Sequence, residues 1–416
     1  MNKKSNVFAI GIMFFLFAMI SFVTGLQNPM GVIAKAQFGA TNLMSQLGNA
    51  ANFIAYAFMG LPAGFLLKGR GYKFTALTAI AIGFVGVGIS YLSGVFESFP
   101  VYLLGAFVSG FSMCMLNTVV NPLLNTLGGG GNRGNQLIQL GGSCNSLSAT
   151  IVPVLAGYLI GEVTEKTQVA DVNLALFIAM AIFALAFVII FLSTIPEPEL
   201  EAAAAEGNQE KEGTLDSIKG AVSHKNLVFG VIAIFLYVGI EVGIPNMANL
   251  YMTSPDGLGM AAGVAGTLVG AYWFLMLCGR LVGGAVGGKV SSRAMMTFVS
   301  SLAIAFVLLG MFLPDTLTMS LLDAQVPVGM VFFVLCGLCT SIMWGAIFNL
   351  AVEGLGKYTS IASGLFMVMV CGGGLLPLLQ GFVADKAGYV TSYWVIIAAL
   401  AYTLWFALVG SKVNKK

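Results

Sequence analysis

Twelve long apolar runs leave this chain few folds to choose from. Crossing a lipid bilayer takes about 20 apolar residues in a helix. Runs of that kind cover roughly 7–27, 44–67, 74–95, 100–126, 136–161, 173–195, 227–252, 259–287, 294–313, 326–352, 360–383 and 389–410. The charges agree. Lys and Arg number 19 and Asp and Glu 17 in 416 residues, 9% charged, against about 25% in an ordinary soluble domain. That is too few for a charged shell, which excludes a water-soluble enzyme, a nucleic-acid binder and a secreted disulfide scaffold. The expected fold class is an all-α membrane protein with twelve transmembrane helices. The 53 glycines suit helices that pack closely through small residues.

One long polar stretch, 196–226, separates the sixth and seventh runs and reads as a flexible linker with one surface helix near Leu215–Val222. The expected organisation is a six-helix half over 1–195, the linker over 196–226, and a second half over 227–416. With the N-terminus on the cytoplasmic side, fifteen Lys and Arg fall inside. Only Lys35, Lys166 and Lys386 fall outside. Such asymmetry sets orientation, so both termini are expected in the cytoplasm of a cell that carries the chain in its inner membrane. The apolar run from Val7 to Leu26 lacks a small-residue cleavage site and reads as a first span rather than a signal peptide. His224 is the single histidine, and Cys336-x-x-Cys339 has no second cysteine pair beside it. No metal site or cofactor is expected.

The halves repeat each other. Gly60-Leu-Pro-Ala-Gly64, followed by Lys68, Arg70 and Lys73, matches Gly279-Arg-Leu-Val-Gly283, followed by Lys289 and Arg293. The run Asn121–Gly128 matches Asn349–Gly356, and Pro153-x3-Gly157 matches Pro377-x3-Gly381. Pairs six spans apart predict two parallel, pseudo-symmetric six-helix bundles, a binding site near the midplane between them, and transport by rocking.

Four segments carry a resemblance: Gly60–Lys73, Val120–Gly128, Phe235–Gly243 and Gly372–Pro377. With twelve spans and a long central loop they resemble the major facilitator superfamily, and more closely its fucose/glucose/galactose–proton symporter family. The resemblance implies a monosaccharide as substrate, a proton as coupling ion, and structural or gating roles for Gly64, Arg70 and Arg280.

Two ionisable side chains fall inside the spans, Glu241 and Arg280. Glu241 lies about fourteen residues into the seventh span, roughly 21 Å deep. A carboxyl there is a candidate proton carrier or a structural group bonded to a neighbouring helix. Arg280 reads as packing or gating before substrate contact. Asn117, Asn121 and Asn125 recur every four residues and share one face of the fourth span. Gln136, Gln139, Asn145, Asn246, Asn249 and Asn349 add amides elsewhere, as do Gln27, Asn28, Asn49 and Asn52. Amides donate and accept together, which suits sugar hydroxyls; bonds between helices are the alternative use. The candidate substrate contacts are Asn117, Asn121, Gln139, Asn145, Asn246 and Asn349, with Glu241 for coupling. Tyr237, Tyr272, Trp273 and Trp344 could stack on sugar C–H faces or serve only packing.

One departure from the resemblance bears on coupling. Where the fucose permeases carry carboxylates, motif alignment falls on Asn28 and Asn117, and amides relay no protons. Coupling has then moved to Glu241, uses Na⁺, or is absent. The expected function is uptake of a hexose, deoxyhexose or amino sugar by alternating access with a symported cation. The alternatives are a facilitator, a sodium-coupled carrier, or an exporter of another small polar solute. A membrane enzyme is disfavoured, because the chain lacks a phosphate-cradling Gly-rich loop with its Lys and has no histidine in a span. The expected partners are the sugar, the cation and the lipid bilayer, with no nucleic acid, and the chain is expected to act as a monomer.

Overall fold

A bilayer offers no water to a peptide N–H or C=O, so each apolar run satisfies its backbone along itself and becomes a helix. The computed structural model describes residues 3–38, 42–160, 172–198, 200–201, 214–254, 257–321 and 324–412. The helices are α1 (Lys3–Phe38), α2 (Asn42–Val95), α3 (Phe99–Leu127), α4 (Gly131–Ile160), α5 (Asn173–Leu192), α6 (Thr214–Val222) and α7 (Lys225–Thr253). They continue as α8 (Ala262–Gly287), α9 (Ser292–Phe312), α10 (Val328–Val352), α11 (Thr359–Met369), α12 (Gly372–Ala387) and α13 (Tyr389–Trp405). Most ends fall within a few residues of the apolar runs. Ten stretches among the described residues are long and apolar enough to cross a membrane. Large apolar side chains such as Leu192, Phe312, Phe298 and Leu378 stand exposed on the outside; in water that would be a liability, and in lipid it is the expected surface.

The run 360–383 is divided into α11 and α12, and two further features depart from twelve separate rods. The 54 residues of α2 hold two of the runs and bend at Gly71, with φ 81 and ψ −178. That conformation is open essentially to glycine alone. The bend exposes the first N–H groups of the following helix, and the Glu197 carboxylate caps them, accepting from Tyr72 N at 2.6 Å and Lys73 N at 2.8 Å. Burial pushes the Glu197 carboxyl above its ordinary range, and the two backbone N–H groups act against that rise. Lys73 Nζ donates to Phe191 O (2.9 Å) and Ser193 O (2.7 Å) at the end of α5, where a cation suits the helix dipole. The second departure is a small antiparallel hairpin, β1 (Thr318–Leu321) with β2 (Ala324–Pro327), paired Thr318 to Pro327 and Leu321 to Ala324. It joins α9 to α10 and is the one pair of strands among the described residues.

Packing separates two units. The first comprises residues 1–127, 144–221 and 355–368. Its α2 and α3 meet through small residues: a Cβ on Gly86 would stand 2.6 Å from Ser109 N, and one on Gly105 2.7 Å from Ser90 N. The second comprises residues 128–143, 222–354 and 369–416. There Phe333 stacks on Tyr393 at 4.0 Å, and a Cβ on Gly337 would stand 2.3 Å from Tyr272 O. The first half of α4 therefore packs with later helices, and α11 with earlier ones.

The bend gives a paired prediction. Gly71→Ala combines a forbidden conformation with a Cβ 2.3 Å from Glu197 Oε2, whereas a Cβ on Gly69 meets nothing within 4 Å. Thermal melting in detergent should show Gly71→Ala destabilised by about 1–3 kcal/mol and Gly69→Ala close to wild type.

Candidate functional site

Proline sets the geometry at the centre of the second unit. Pro245 lies inside α7 and has no N–H, so the carbonyl four residues earlier, Glu241 O, loses its helical donor. The Tyr272 hydroxyl of α8 supplies the bond at 3.1 Å and lies 3.0 Å from Thr340 Oγ1 of α10. One hydroxyl thus ties three helices. Tyr237, Glu241 and Pro245 follow at four-residue intervals and share a face of α7. Arg280, two turns beyond Tyr272 on α8, reaches the same place. Its Nη2 is 3.4 Å from Glu241 Oε1, and the two side chains are 12% and 15% exposed. Its Nη1 donates to Gly142 O of α4 at 3.0 Å. The buried Tyr237 hydroxyl faces this pair without reaching hydrogen-bond geometry to it.

Aromatic rings line the same region. Tyr237 and Trp344 are tilted with centroids 6.2 Å apart, and Tyr272 and Trp273 meet edge to face at 5.3 Å. An acid, a guanidinium, phenols and indoles gathered in one unit can bind a polyhydroxylated ligand, through charge-assisted bonds to hydroxyls and apolar contact with C–H faces. They can also exchange one proton at a carboxylate that already has a cationic partner. The candidate carrier is thus an ion-paired carboxylate, which residue counting along the chain did not reveal.

The amides mostly serve packing bonds. Asn117 Nδ2 donates to Tyr56 OH and to Met113 O, both at 3.1 Å. Asn121 is fully buried and its Nδ2 donates to Asn117 O at 2.9 Å. Asn125 keeps Oδ1 buried and unpartnered among the described residues. Asn145 Nδ2 donates to Phe17 O at 3.0 Å. All of these lie in the first unit. In the second unit Gln139 Nε2 donates to Ile342 O at 2.7 Å, Gln136 Nε2 to Gly284 O at 3.0 Å, and Asn349 Nδ2 to Ser292 Oγ at 2.9 Å. Asn246 is exposed. Glu241 is joined to Arg280 there, while Asn117, Asn121 and Asn145 belong to the other unit. The side chains of Gln27, Asn28, Lys35, Asn49 and the Pro153-x3-Gly157 motif, and the whole of Lys166 and residues 202–213, lie outside what is described.

The remaining motif residues find close partners. A Cβ on Gly64 would stand 3.0 Å from Ser360 O and 3.1 Å from Gly364 Cα. The Arg70 guanidinium lies over the Phe74 ring at 5.1 Å. Ser363 Oγ donates at 3.2 Å to Thr118 O, the carbonyl that Pro122 strips of its donor. Ser363, Thr340, Gly142 and Glu197 were not singled out from the sequence. The position four residues before Pro122 and before Pro245 is the signal that points to Thr118 and Glu241. All six cysteines are free, and the described residues hold no group of three or more His, Cys, Asp or Glu that could bind a metal.

With this geometry in view, comparison with known proteins identifies the class. The family model of the Major Facilitator Superfamily matches residues 12–376, and the chain belongs to that superfamily. It is 28% identical over 414 residues to a glucose/galactose transporter of Brucella abortus, covering 99% of this chain and 96% of that one. It is 29% identical over 427 residues to a putative glucose/galactose transporter of Helicobacter pylori, with 99% of each covered. Against the L-fucose-proton symporter of Escherichia coli identity is 24%, over 95% of this chain and 90% of that one. A crystal structure of the Escherichia coli fucose:proton symporter shares the fold with a TM-score of 0.83 at 22% identity, covering 98% of this chain and 100% of that chain.

Removing the hydroxyl that bridges the three helices should be costly. Tyr272→Phe leaves Glu241 O and Thr340 Oγ1 without that partner and should lower stability by about 1–3 kcal/mol, read as a fall in melting temperature in detergent.

Proposed function

We propose that this protein is a secondary active transporter that takes up a monosaccharide across the cell membrane by alternating access, with a proton as the symported ion. The observation that carries the reading is the largely buried Glu241–Arg280 pair, 15% and 12% exposed, set among Tyr237, Tyr272, Trp273 and Trp344 in a major facilitator fold. The curated relatives over nearly the full chain are glucose/galactose transporters and an L-fucose-proton symporter. The sugar is a hexose, a deoxyhexose or an amino sugar, held by the aromatic faces beside Glu241 and by amides of the same unit drawn from Gln139, Asn246 and Asn349. Glu241 carries the proton. Its carboxylate accepts from Arg280 when ionised; once protonated it no longer offsets the guanidinium charge, so loading a proton changes the site's net charge by one.

The full architecture belongs to the same proposal. Twelve spans form two pseudo-symmetric six-helix bundles, 1–195 and 227–416, joined by a cytoplasmic linker over 196–226. Both termini are cytoplasmic, and one chain suffices for transport. The bend at Gly71, which divides a 54-residue helix in two, supports the count, and the Lys and Arg asymmetry supports the orientation.

Uptake of labelled D-glucose, D-galactose, L-fucose and N-acetylglucosamine into proteoliposomes tests the function. An inward proton gradient should drive accumulation of at least one of them, and a protonophore should abolish it. Accumulation that follows a sodium gradient instead, or none at all, would replace symport with sodium coupling or facilitation. Glu241→Gln should retain counterflow exchange, which needs no net proton movement, and lose gradient-driven accumulation. Equal accumulation by Glu241→Gln and wild type would remove Glu241 from coupling. Topology is tested separately. In a background without the six native cysteines, Glu97→Cys should react with an impermeant maleimide from outside intact cells; reaction only after permeabilisation would invert the orientation.

A further inference from the structure

We infer that Arg280 is a positioning residue through which protonation of Glu241 controls how residues 131–143 of α4 are held. The inference rests on the proton-carrier role just proposed and adds the element on which the proton acts.

The planar fork of Arg280 reaches acceptors on two different helices. Nη2 faces the Glu241 carboxylate of α7 at 3.4 Å, and Nη1 donates to Gly142 O of α4 at 3.0 Å. The arginine stem also lies along α4, since a Cβ on Gly142 would stand 3.4 Å from Arg280 Cδ. Gly142 is at the end of the α4 segment that packs in this unit; from Cys144 onward the helix packs elsewhere. The rest of the segment is held by Gln139 Nε2 on Ile342 O (2.7 Å) and Gln136 Nε2 on Gly284 O (3.0 Å). Both are neutral amide bonds that no proton alters. The Arg280 bond alone among these three involves a charged donor, and the donor's direction is fixed by a carboxylate.

Protonating Glu241 removes the anion that aims the guanidinium. A cation only 12% exposed then has to seek other acceptors or water, and its hold on Gly142 O loosens. Rigid two-point geometry is what arginine supplies and lysine does not. The groups that face Glu241 allow this. On its own helix Tyr237 looks toward the pair; from α8 come Arg280 and Tyr272; from α10 come Thr340 and, behind Tyr272, Cys336. On α4 the contact is a glycine carbonyl, and on α12 and α13 the nearest polar groups to this stretch of α7 are Gln380 and the Tyr393 hydroxyl, the latter bonded to Ile244 O. Among the described residues, then, Glu241 is the single acid and Arg280 the single base in the cluster.

Spin labels at Asn132→Cys and Lys289→Cys, both exposed and both in the second unit, report the separation of α4 from the end of α8. The native cysteines are replaced, the full chain is placed in nanodiscs, and distances are read by double electron–electron resonance, whose readout does not depend on thiol ionisation. Between pH 8.5 and pH 5.5 the ratio of short to long distances should fall on the order of tenfold, the effect of losing one charge-assisted hydrogen bond. Glu241→Gln should show the acid distribution at every pH. Arg280→Gln should remove the pH response. If Arg280→Gln does not fold, Arg280→Lys serves, because an ammonium keeps the charge beside Glu241 but cannot span both acceptors, and the response should again vanish. A pH response that survives in either arginine variant, or a wild type with no response, overturns the inference. Uptake measured on the same protein keeps the two readings apart. Proton-driven uptake with pH-insensitive distances sinks only the Arg280 link. Distances that respond as expected without proton-driven uptake sink only the symport reading.

Discussion

A helix in lipid cannot leave a carbonyl bare, and two of the carbonyls that in-helix prolines expose, those below Pro122 and Pro245, tie helices together in this structure. Pro122 frees Thr118 O in α3, and Pro245 frees Glu241 O in α7. In each case a hydroxyl from another helix fills the vacancy: Ser363 from α11 in the first unit and Tyr272 from α8 in the second. Bonds of this kind between membrane helices average about 0.6 kcal/mol. They are enough to choose a packing partner and weak enough to be exchanged. The second has a further consequence. By tying α7 to α8 and α10 through Glu241 O it holds the turn from which the Glu241 side chain leaves, where Arg280 of α8 meets it.

The polar groups of the two units follow different chemistry. In the middle of α3 and α4 of the first they are amides bonded largely to main-chain carbonyls: Asn117 to Met113 O, Asn121 to Asn117 O, Asn145 to Phe17 O. None of these changes charge in the physiological range. In the second the centre is an ion pair, whose burial costs desolvation that mutual attraction only partly offsets. An apolar pair would hold the same helices with less cost. A titratable pair at this position makes sense if its charge state is used, and the guanidinium bond to Gly142 O gives that state something to act on.

The helices were legible because lipid imposes one rule on every residue: apolar runs of sufficient length become helices, and the runs 100–126 and 173–195 reappear as α3 and α5 with small shifts. The four-residue spacing of Asn117, Asn121 and Asn125 also gave a real face of α3. What the spacing could not give was the partner. An amide that bonds the carbonyl of its own preceding turn looks in sequence the same as one that waits for a ligand. Glu197 was hidden for a related reason: one acid among seven in a polar stretch has no mark of its own until Gly71 bends α2 and presents Tyr72 N and Lys73 N to it. The Glu241–Arg280 pair spans 39 residues and two helices. Hydropathy locates each member and says nothing of their mutual rotation, which is set by glycine contacts such as Gly337 against Tyr272 O.

The internal repeat acquires a physical meaning in this packing. Gly60-x3-Gly64 lies against Gly364 and Ser360 of α11, so closely that a Cβ on Gly364 would stand 2.6 Å from Gly60 O. Downstream of Gly279, the matching stretch of α8 presents Gly283, Gly284, Gly287 and Gly288 to Gln139, Leu140 and Gln136 of α4. In both units a glycine face receives a helical segment from the other half of the chain. Glycine offers little area to bury, and burial is worth only about 25 cal/mol per Å², so such a face holds its partner chiefly by fit and by a few polar bonds. Contacts built this way are specific in register and inexpensive to separate. A protein that must dock and release the same helical segments in every cycle needs both properties, and a larger apolar interface at these positions would supply the first at the expense of the second.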